Sequence, residues 1–303
     1  MQIIDGRKIK EEILAEVKKE ISFLDFQPIF CDVLVGNDPS SVQYVQMKAK
    51  NAENVGIKFH QAFFPATITN QELTEEIKKI NKIPNMCGII VQLPLPEHIN
   101  KKLILDTIDP LLDVDCLGSI ASKNFYEGKI ENGFPTALAC MEILDSLKVF
   151  GKSDLSGKSG KSDLSKNLWQ NKKILVMGQG ELVGKPVSAL LNFRKSNSGA
   201  LSVFDIIDSK TIFSEKEKLL KEADLIISGI GQGKYITGDM LKKGVILIDA
   251  GTSEIGSGIV GDVNLESVKN VASFVSPVPG GVGPVTVAML FKNVLNVARK
   301  LKS

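Results

Sequence analysis

The segment Lys173-Ile174-Leu175-Val176-Met177-Gly178-Gln179-Gly180-Glu181-Leu182-Val183-Gly184-Lys185-Pro186 decides the fold. Lys173 to Met177 is a short apolar run of strand type, and Pro186 to Phe193 fits a helix with proline in its first turn. Between them stands Gly178-x-Gly180-x-x-x-Gly184. Glycines there let the backbone turn tightly and meet a pyrophosphate at the positive end of a helix. The spacing is one residue longer than Gly-x-Gly-x-x-Gly. A Gly-rich turn of an ordinary α/β domain reads the same way, so both meanings stay open on the loop alone.

Downstream the α/β rhythm continues. Ser202 to Ile207, Leu225 to Ser228 and Val245 to Ala250 are strand-like, and Lys292 to Lys302 is a closing helix. Asp205 and Asp208 lie near the end of the strand that follows the glycine loop. An acid there accepts from a ribose 2′-hydroxyl and repels a 2′-phosphate. Asp208 is 28 residues past Gly180, against ~20 in the usual pattern. The polar stretch Arg194 to Gly199 accounts for the excess, and a solvated strand end is the plain alternative.

Upstream the same alternation appears. Arg7 to Ile21 carries Ile9, Ile13, Leu14, Val17 and Ile21 at helical spacing. Pro28 to Val35 is a strand, followed by the turn Gly36 to Ser41 and a helix over Val42 to Val55. Lys58 to Phe64 is a strand, Thr69 to Asn81 a helix and Cys87 to Gln92 a strand. That order predicts parallel strands joined by crossover helices. Residues 151–168 break it with Lys-Ser-Asp-Leu-Ser written twice, which reads as a polar surface excursion near a domain boundary.

Bulk properties exclude several classes. The chain has 303 residues, 43% hydrophobic and 24% charged, with a formal net charge of +2. That length suits about two domains. The flat charge balance gives no case for nucleic acid or for an anionic membrane surface. No apolar run approaches the ~18 residues of a membrane span. Met1 to Lys10 turns charged too early for a secretory leader, so a cytoplasmic location is expected. Cys31, Cys87, Cys116 and Cys140 form no Cys-x-x-Cys pair, and with two histidines no metal site is expected. The four thiols read as small buried apolar groups in a reducing compartment.

One helix carries Tyr44 and Lys48 four residues apart, so phenol and ammonium share a face. By spacing alone this is a solvated lysine packing on a ring. Other segments are equally plain taken singly. They are Val91-Gln92-Leu93-Pro94-Leu95-Pro96, Asp113-Val114-Asp115, Gly261-Asp262-Val263 and Pro277-Val278-Pro279-Gly280-Gly281-Val282-Gly283-Pro284-x-Thr286. Taken in order, with Ile4-Asp5-Gly6-Arg7 and the loop Gly178-x-Gly180-x-x-Val183-Gly184-x-Pro186, they resemble the bifunctional methylenetetrahydrofolate dehydrogenase/methenyltetrahydrofolate cyclohydrolase family. The similarity spans nearly the whole chain apart from 151–168.

The resemblance implies an α/β fold of two domains flanking a cleft. The folate-binding domain would be 1–135 plus 284–303, and a Rossmann-type domain for NADP, with NAD as the alternative, would be 136–283. It implies oxidation of 5,10-methylenetetrahydrofolate, hydrolysis of the methenyl product to 10-formyltetrahydrofolate, and a homodimer. Lys48 would be the catalytic lysine, tuned by the neutral Gln92 and by Tyr44, with Asp115 accepting from the pterin edge. Tyr44, Gln92, Leu93, Asp115, Pro279, Gly280 and Gly281 would contact the folate. Gly178, Gln179, Gly180, Val183, Gly184, Asp208, Ser209, Gly229, Thr252, Ser253 and Thr286 would contact the nucleotide.

The chain also departs from the family pattern. Cys116 replaces the glycine after Asp-Val-Asp, and would be strained if that backbone needs positive φ. Phe134-Pro135-Thr136-Ala137 replaces Pro-Cys-Thr-Pro. Gln179 cannot supply the positive charge that pairs with a 2′-phosphate, which leaves Arg194 or Lys195 as substitutes. Two other readings remain: a cyclohydrolase with weak or lost dehydrogenase activity, and a non-catalytic folate- or nucleotide-binding regulator.

Overall fold

Parallel strands need crossovers of a dozen residues or more, and the helical stretches between the apolar runs supply them. A computed structural model describes residues 1–129, 131–150, 172–198, 204–256 and 258–302, with backbone alone at 148–150 and 195–198. The repeat at 151–168 lies outside the described residues. The chain opens with β1 (Gln2–Ile3), α1 (Gly6–Ile21), β2 (Ile29–Val35), α2 (Pro39–Asn54), β3 (Lys58–Phe64), α3 (Asn70–Ile80) and β4 (Met86–Val91). Three helices follow: α4 (Lys101–Thr107), α5 (Ser119–Tyr126) and α6 (Pro135–Phe150). Then come β5 (Ile174–Met177), α7 (Gly184–Ser198), β6 (Phe204–Ile207), α8 (Phe213–Glu222), β7 (Leu225–Ser228) and β8 (Ile246–Asp249). The chain closes with β9 (Ser253–Ile255), β10 (Gly258–Val260), α9 (Leu265–Val268), β11 (Phe274–Val275) and α10 (Val282–Lys302).

These elements form two compact units. One is Glu11–Pro135 with Val287–Ser303, and the other is Met1–Lys10 with Thr136–Thr286. The sequence reading grouped residues 1–10 with 11–135. The structure instead runs β1 parallel beside β11, so the first residues extend the sheet of the other unit.

In the first unit three parallel strands lie in the order β3-β2-β4. Central β2 is buried almost throughout, as a parallel strand covered on both faces must be. Helix α2 starts where its sequence says it should: Pro39 stands in the first turn, and the Asp38 carboxylate accepts from the Ser41 amide. Thr69 and Glu72 build a reciprocal capping box on α3. The later part of α10 packs into the same core, where Phe291 meets Phe30 edge to face at 5.5 Å. From that helix the Asn293 amide donates to the carbonyls of Val114 and Gly133 at 2.8 Å each, which fixes the segment bearing Asp113 and Asp115.

The second unit is a parallel sheet in the order β1-β11-β8-β7-β5-β6. From β5 the chain goes first to β6 on one side and then to β7 on the other. The topological switch point is therefore between β5 and β7, where doubly wound sheets bind ligands outside the strands' carboxyl ends. Leu175, Ile226, Leu247 and Val275 of adjacent strands meet in one core. Buried carboxylates tie the loops beyond that edge. Asp262 accepts from the Ser228 hydroxyl at 2.6 Å and from the amides of Ile230 and Gln232 at 2.9 Å. Asp249 accepts from the amides of Gly251, Asp262 and Val263.

Two helix starts differ from expectation. α7 begins at Gly184 and α10 at Val282, well before Lys292. Pro284 fits the start of α10, because proline is compatible with a first helical turn, where its missing N–H has no partner to lose.

Removing the Asp262 carboxylate strands three donors at the edge of the sheet. At about 1–3 kcal/mol for each unsatisfied buried group, Asp262→Ala lowers stability by about 3 kcal/mol or more. Denaturant midpoints of wild type and variant check this, and a loss below about 1 kcal/mol would contradict the network's role.

Candidate active site

The site in the first unit is assembled on β2, α2 and the ends of β4. Ser41, Val45, Lys48, Asn51 and Ala52 form the buried stripe of α2, at spacings of three and four residues. Lys48 is thus carried inward by its own helix and is 2% exposed. Its Nζ donates to Gln92 Oε1 at 2.8 Å. Gln92 in turn donates from Nε2 to the Leu93 carbonyl at 3.0 Å, which orients its oxygen towards the lysine. Leu93 is half-buried and precedes a cis peptide to Pro94. The Lys48 ammonium lies 4.6 Å from the centroid of the Tyr44 ring, within cation–π range. Helix spacing thus brings Tyr44 and Lys48 together, and the end of β4 delivers Gln92.

The sequence reading missed a third partner. Lys48 Nζ is 2.6 Å from Asp32 Oδ2, and Asp32 is 0% exposed. Gln92 is therefore not the only group tuning the lysine, and the neutral pairing expected from sequence is corrected to a mixed one. A signal was present: Asp32 is the one charged residue in Ile29-Phe30-Cys31-Asp32-Val33-Leu34-Val35.

Burial sets the protonation of the surrounding acids. It drives the Asp32 carboxyl above the usual range, while the adjacent Lys48 charge pulls the other way. Asp115 is half-buried and pushed up to about 7, chiefly by desolvation, with Lys48 opposing and Asp113 and Asp32 reinforcing. Asp113 rises to about 6 by burial, opposed by backbone N–H groups such as that of Gly118 at 2.7 Å. Tyr44 keeps 39% of its surface exposed, yet desolvation and the charges of Asp115 and Asp32 lift its phenol to about 12. It is a neutral hydrogen-bonding group at any ordinary pH. Cys116 has φ 58°, the left-handed conformation the sequence comparison warned of, and burial raises its thiol, so it is packed and inert. Phe134 packs its ring 5.1 Å from that of Phe125, and Pro135 opens α6.

In the second unit, the residues expected to meet a nucleotide gather at the carboxyl edge of the sheet. Gly178 follows β5 with φ 93°, and a Cβ on Gly184 would stand 1.9 Å from the Gly178 carbonyl oxygen. Only glycine closes that turn onto the start of α7. Among the described residues, nothing lies within 4 Å of where a Gly180 Cβ would stand, so the backbone there is open to an approaching group. Val183 is half-buried behind the loop, against Gly229 beyond β7. Thr252 is exposed past β8, and Ser253 opens β9. A glycine loop, a helix N-terminus and the switch point thus coincide, and this arrangement fits a dinucleotide.

The remaining positions are engaged in contacts within the protein. Gln179 turns back, donating to the Gly178 carbonyl at 2.8 Å. Arg194, a substitute cation by sequence, is held by Asp145 through two contacts at 2.9 and 2.5 Å. The side chain of Lys195 lies outside the described residues. Asp208 Oδ1 accepts from the amides of Lys210 and Thr211 and from the Thr211 hydroxyl, with exposed Ser209 between. Those donors lower its pKa and keep it ionised. Thr286 donates to the Val282 carbonyl within α10. Pro279 follows a cis peptide, and the Gly280 carbonyl accepts from the Gly6 amide at 3.0 Å. Gly281 closes that turn by donating to the Pro277 carbonyl at 2.7 Å.

Comparison with known proteins agrees with these features. Residues 4–115 match the tetrahydrofolate dehydrogenase/cyclohydrolase catalytic domain, and residues 163–302 match the NAD(P)-binding domain of the same family. The bifunctional protein FolD of Nitratiruptor sp. is 38% identical, with 100% of this chain and 99% of that protein covered. FolD of Nautilia profundicola is 39% identical over 99% and 98%. The crystal structure of the Campylobacter jejuni FolD methylenetetrahydrofolate dehydrogenase/cyclohydrolase superposes with a TM-score of 0.84 at 34% identity, covering 99% of each chain. A Trypanosoma brucei FolD structure, complexed with NADP and an inhibitor, gives 0.83 at 29% identity over 99% and 98%. The chain belongs to the tetrahydrofolate dehydrogenase/cyclohydrolase family.

Proposed function

We propose that this protein oxidises 5,10-methylenetetrahydrofolate to the methenyl form with NAD(P)⁺ and hydrolyses that form to 10-formyltetrahydrofolate, two steps of one-carbon metabolism. The observation carrying this function is the buried Lys48, held 2.8 Å from a neutral glutamine and against a tyrosine ring. A protein that only bound folate would have no use for so costly a group. Bound NAD(P)⁺ supplies the hydride acceptor. The protein's own part in that step is orientation, and no side-chain acid or base is required.

In the hydrolytic step, water adds to the methenyl carbon and one proton leaves to solvent. The carbon–N5 bond then breaks as N5 gains a proton and the hydroxyl loses one, forming the formyl group. Lys48 orients the water and carries the proton between those atoms, with Gln92 fixing its position and Tyr44 contacting the folate beside it. Asp115 accepts from two N–H groups of the pterin edge, which only the ionised carboxylate does fully. The Gly178–Gly184 loop and the start of α7 receive the pyrophosphate, and Asp208 with Ser209 meets the adenosine ribose. Gly229, Thr252, Ser253 and Thr286 complete the nucleotide contacts. The family's second domain binds NAD(P); NADP is the cofactor we assign, and with Gln179 uncharged and Asp208 ionised, NAD is accepted too. Four unpaired, buried cysteines suit a reducing cytosol, and the homodimer implied by the family is the assembly we assign.

Lys48→Ala loses a factor of about 10² to 10⁴ in methenyl hydrolysis, followed as decay of methenyl absorbance. Retained hydrolysis would refute the assignment. Purified protein with 5,10-methylenetetrahydrofolate reduces both NADP and NAD, with NADP faster. Reduction of neither, alongside intact hydrolysis, would mark a cyclohydrolase that has lost its dehydrogenase.

Asp115 adds a pH dependence. Its folded pKa is raised to about 7, so the acceptor form is lost as pH falls through that value. The KM for methylenetetrahydrofolate rises several-fold from about pH 8 to about pH 6. Asp115→Asn has a higher KM that no longer varies over that range.

A further inference from the structure

Asp32 has no place in any motif that marks the family, and its location is chemically expensive. It stands mid-strand in β2, paired in register with Gln61 of β3 and Ile90 of β4. It is 0% exposed. Apart from the Lys48 contact at 2.6 Å, neither carboxylate oxygen has a hydrogen-bond donor among the described residues. A buried ion pair contributes little to stability compared with apolar side chains of the same volume. The strand would therefore be served at least as well by a valine, and packing does not account for a carboxylate here.

The groups around the lysine divide the work. Gln92 is neutral, so it fixes where the head sits without fixing its charge. Tyr44 presents a ring face and an un-ionised phenol. Cys31, next to Asp32 on β2, has its thiol raised by burial and by Asp32, and stays neutral. Asp115 and Asp113 are pushed up to about 7 and about 6, so their charge changes across the physiological range. Asp32 alone among these acids is in direct contact with Nζ. A charged lysine has three N–H donors. Asp32 and Gln92 take two, and one is left for a reacting molecule.

We propose that Asp32 is a positioning residue that holds the Lys48 head in its cationic form and in a single place, so that folate hydrolysis proceeds with Lys48 as a charged donor. This rests on the assignment of Lys48 to that reaction. Without the carboxylate, the buried head has only neutral contact partners, and desolvation favours its uncharged form. The dependence on pH follows: the cation persists to higher pH with Asp32 than without it.

The test is the pH profile of methenyl hydrolysis, with kcat and KM measured separately for wild type and for Asp32→Asn and Asp32→Val, each confirmed folded by circular dichroism. Both variants should lose tenfold or more in kcat at about pH 8, and the alkaline limb should move to lower pH by about one unit or more. KM should change less than about threefold. Profiles parallel to wild type in folded variants would overturn the proposal. Wild type labelled with ¹⁵Nζ-lysine gives a second readout that needs no Asp32 variant, with Lys48→Arg used to identify the signal. The Lys48 signal should lie at the ammonium position under the assay conditions. A neutral amine signal under those conditions would overturn the proposal as well. Loss of hydrolysis in Lys48→Ala with unshifted Asp32 profiles removes this inference alone, whereas retained hydrolysis in Lys48→Ala removes the function beneath it.

Discussion

A parallel strand buried on both faces can offer little chemistry along its length, because its side chains are committed to the core. Reactive groups must stand where the strands end. Gly178 follows β5, Asp208 follows β6, Gly229 follows β7 and Gln92 follows β4. The helices then complete each site: α7 brings a positive N-terminus to the glycine loop, and α2 turns Lys48 inward. In both units, the sheet sets the position and the loop or helix supplies the group.

Against that background the buried carboxylates stand out, and they do different things. Asp262 and Asp249 each accept several backbone or hydroxyl hydrogen bonds, so their burial is compensated within the protein. They stitch loops to the ends of β7 and β8. Among the described residues, Asp32 has only a lysine. A carboxylate satisfied by backbone donors is a structural fastener, whereas one facing a single cation is coupled to whatever that cation does. The same distinction separates Asp113, anchored by the Gly118 amide, from its neighbour Asp115.

Local patterns carried far in the sequence. β3 and β7 have the bounds that their apolar runs indicate, and the cap of α3 is written in Thr69 and Glu72. The Tyr44–Lys48 pairing follows from helical spacing. What escaped was the non-local. The contact of Asp32 with Lys48 depends on the packing of α2 over β2, which no spacing rule encodes. β1 and β11 are two residues each and exist because β1 pairs with β11 and β11 with β8; alone they have no strand signature. Arg194 resembled a free cation until its partner Asp145, 49 positions earlier, was seen beside it.

The chain passes between its two compact units three times, after Lys10, after Pro135 and after Thr286. The last passage falls inside the continuous helix α10. Neither unit is therefore a contiguous cassette. A gene fragment spanning 136–286 would lack β1, and one spanning 11–135 would lack Phe291 and Asn293, which pack its core and hold its acidic loop. Exchanging one half for another would have to preserve three junctions at once.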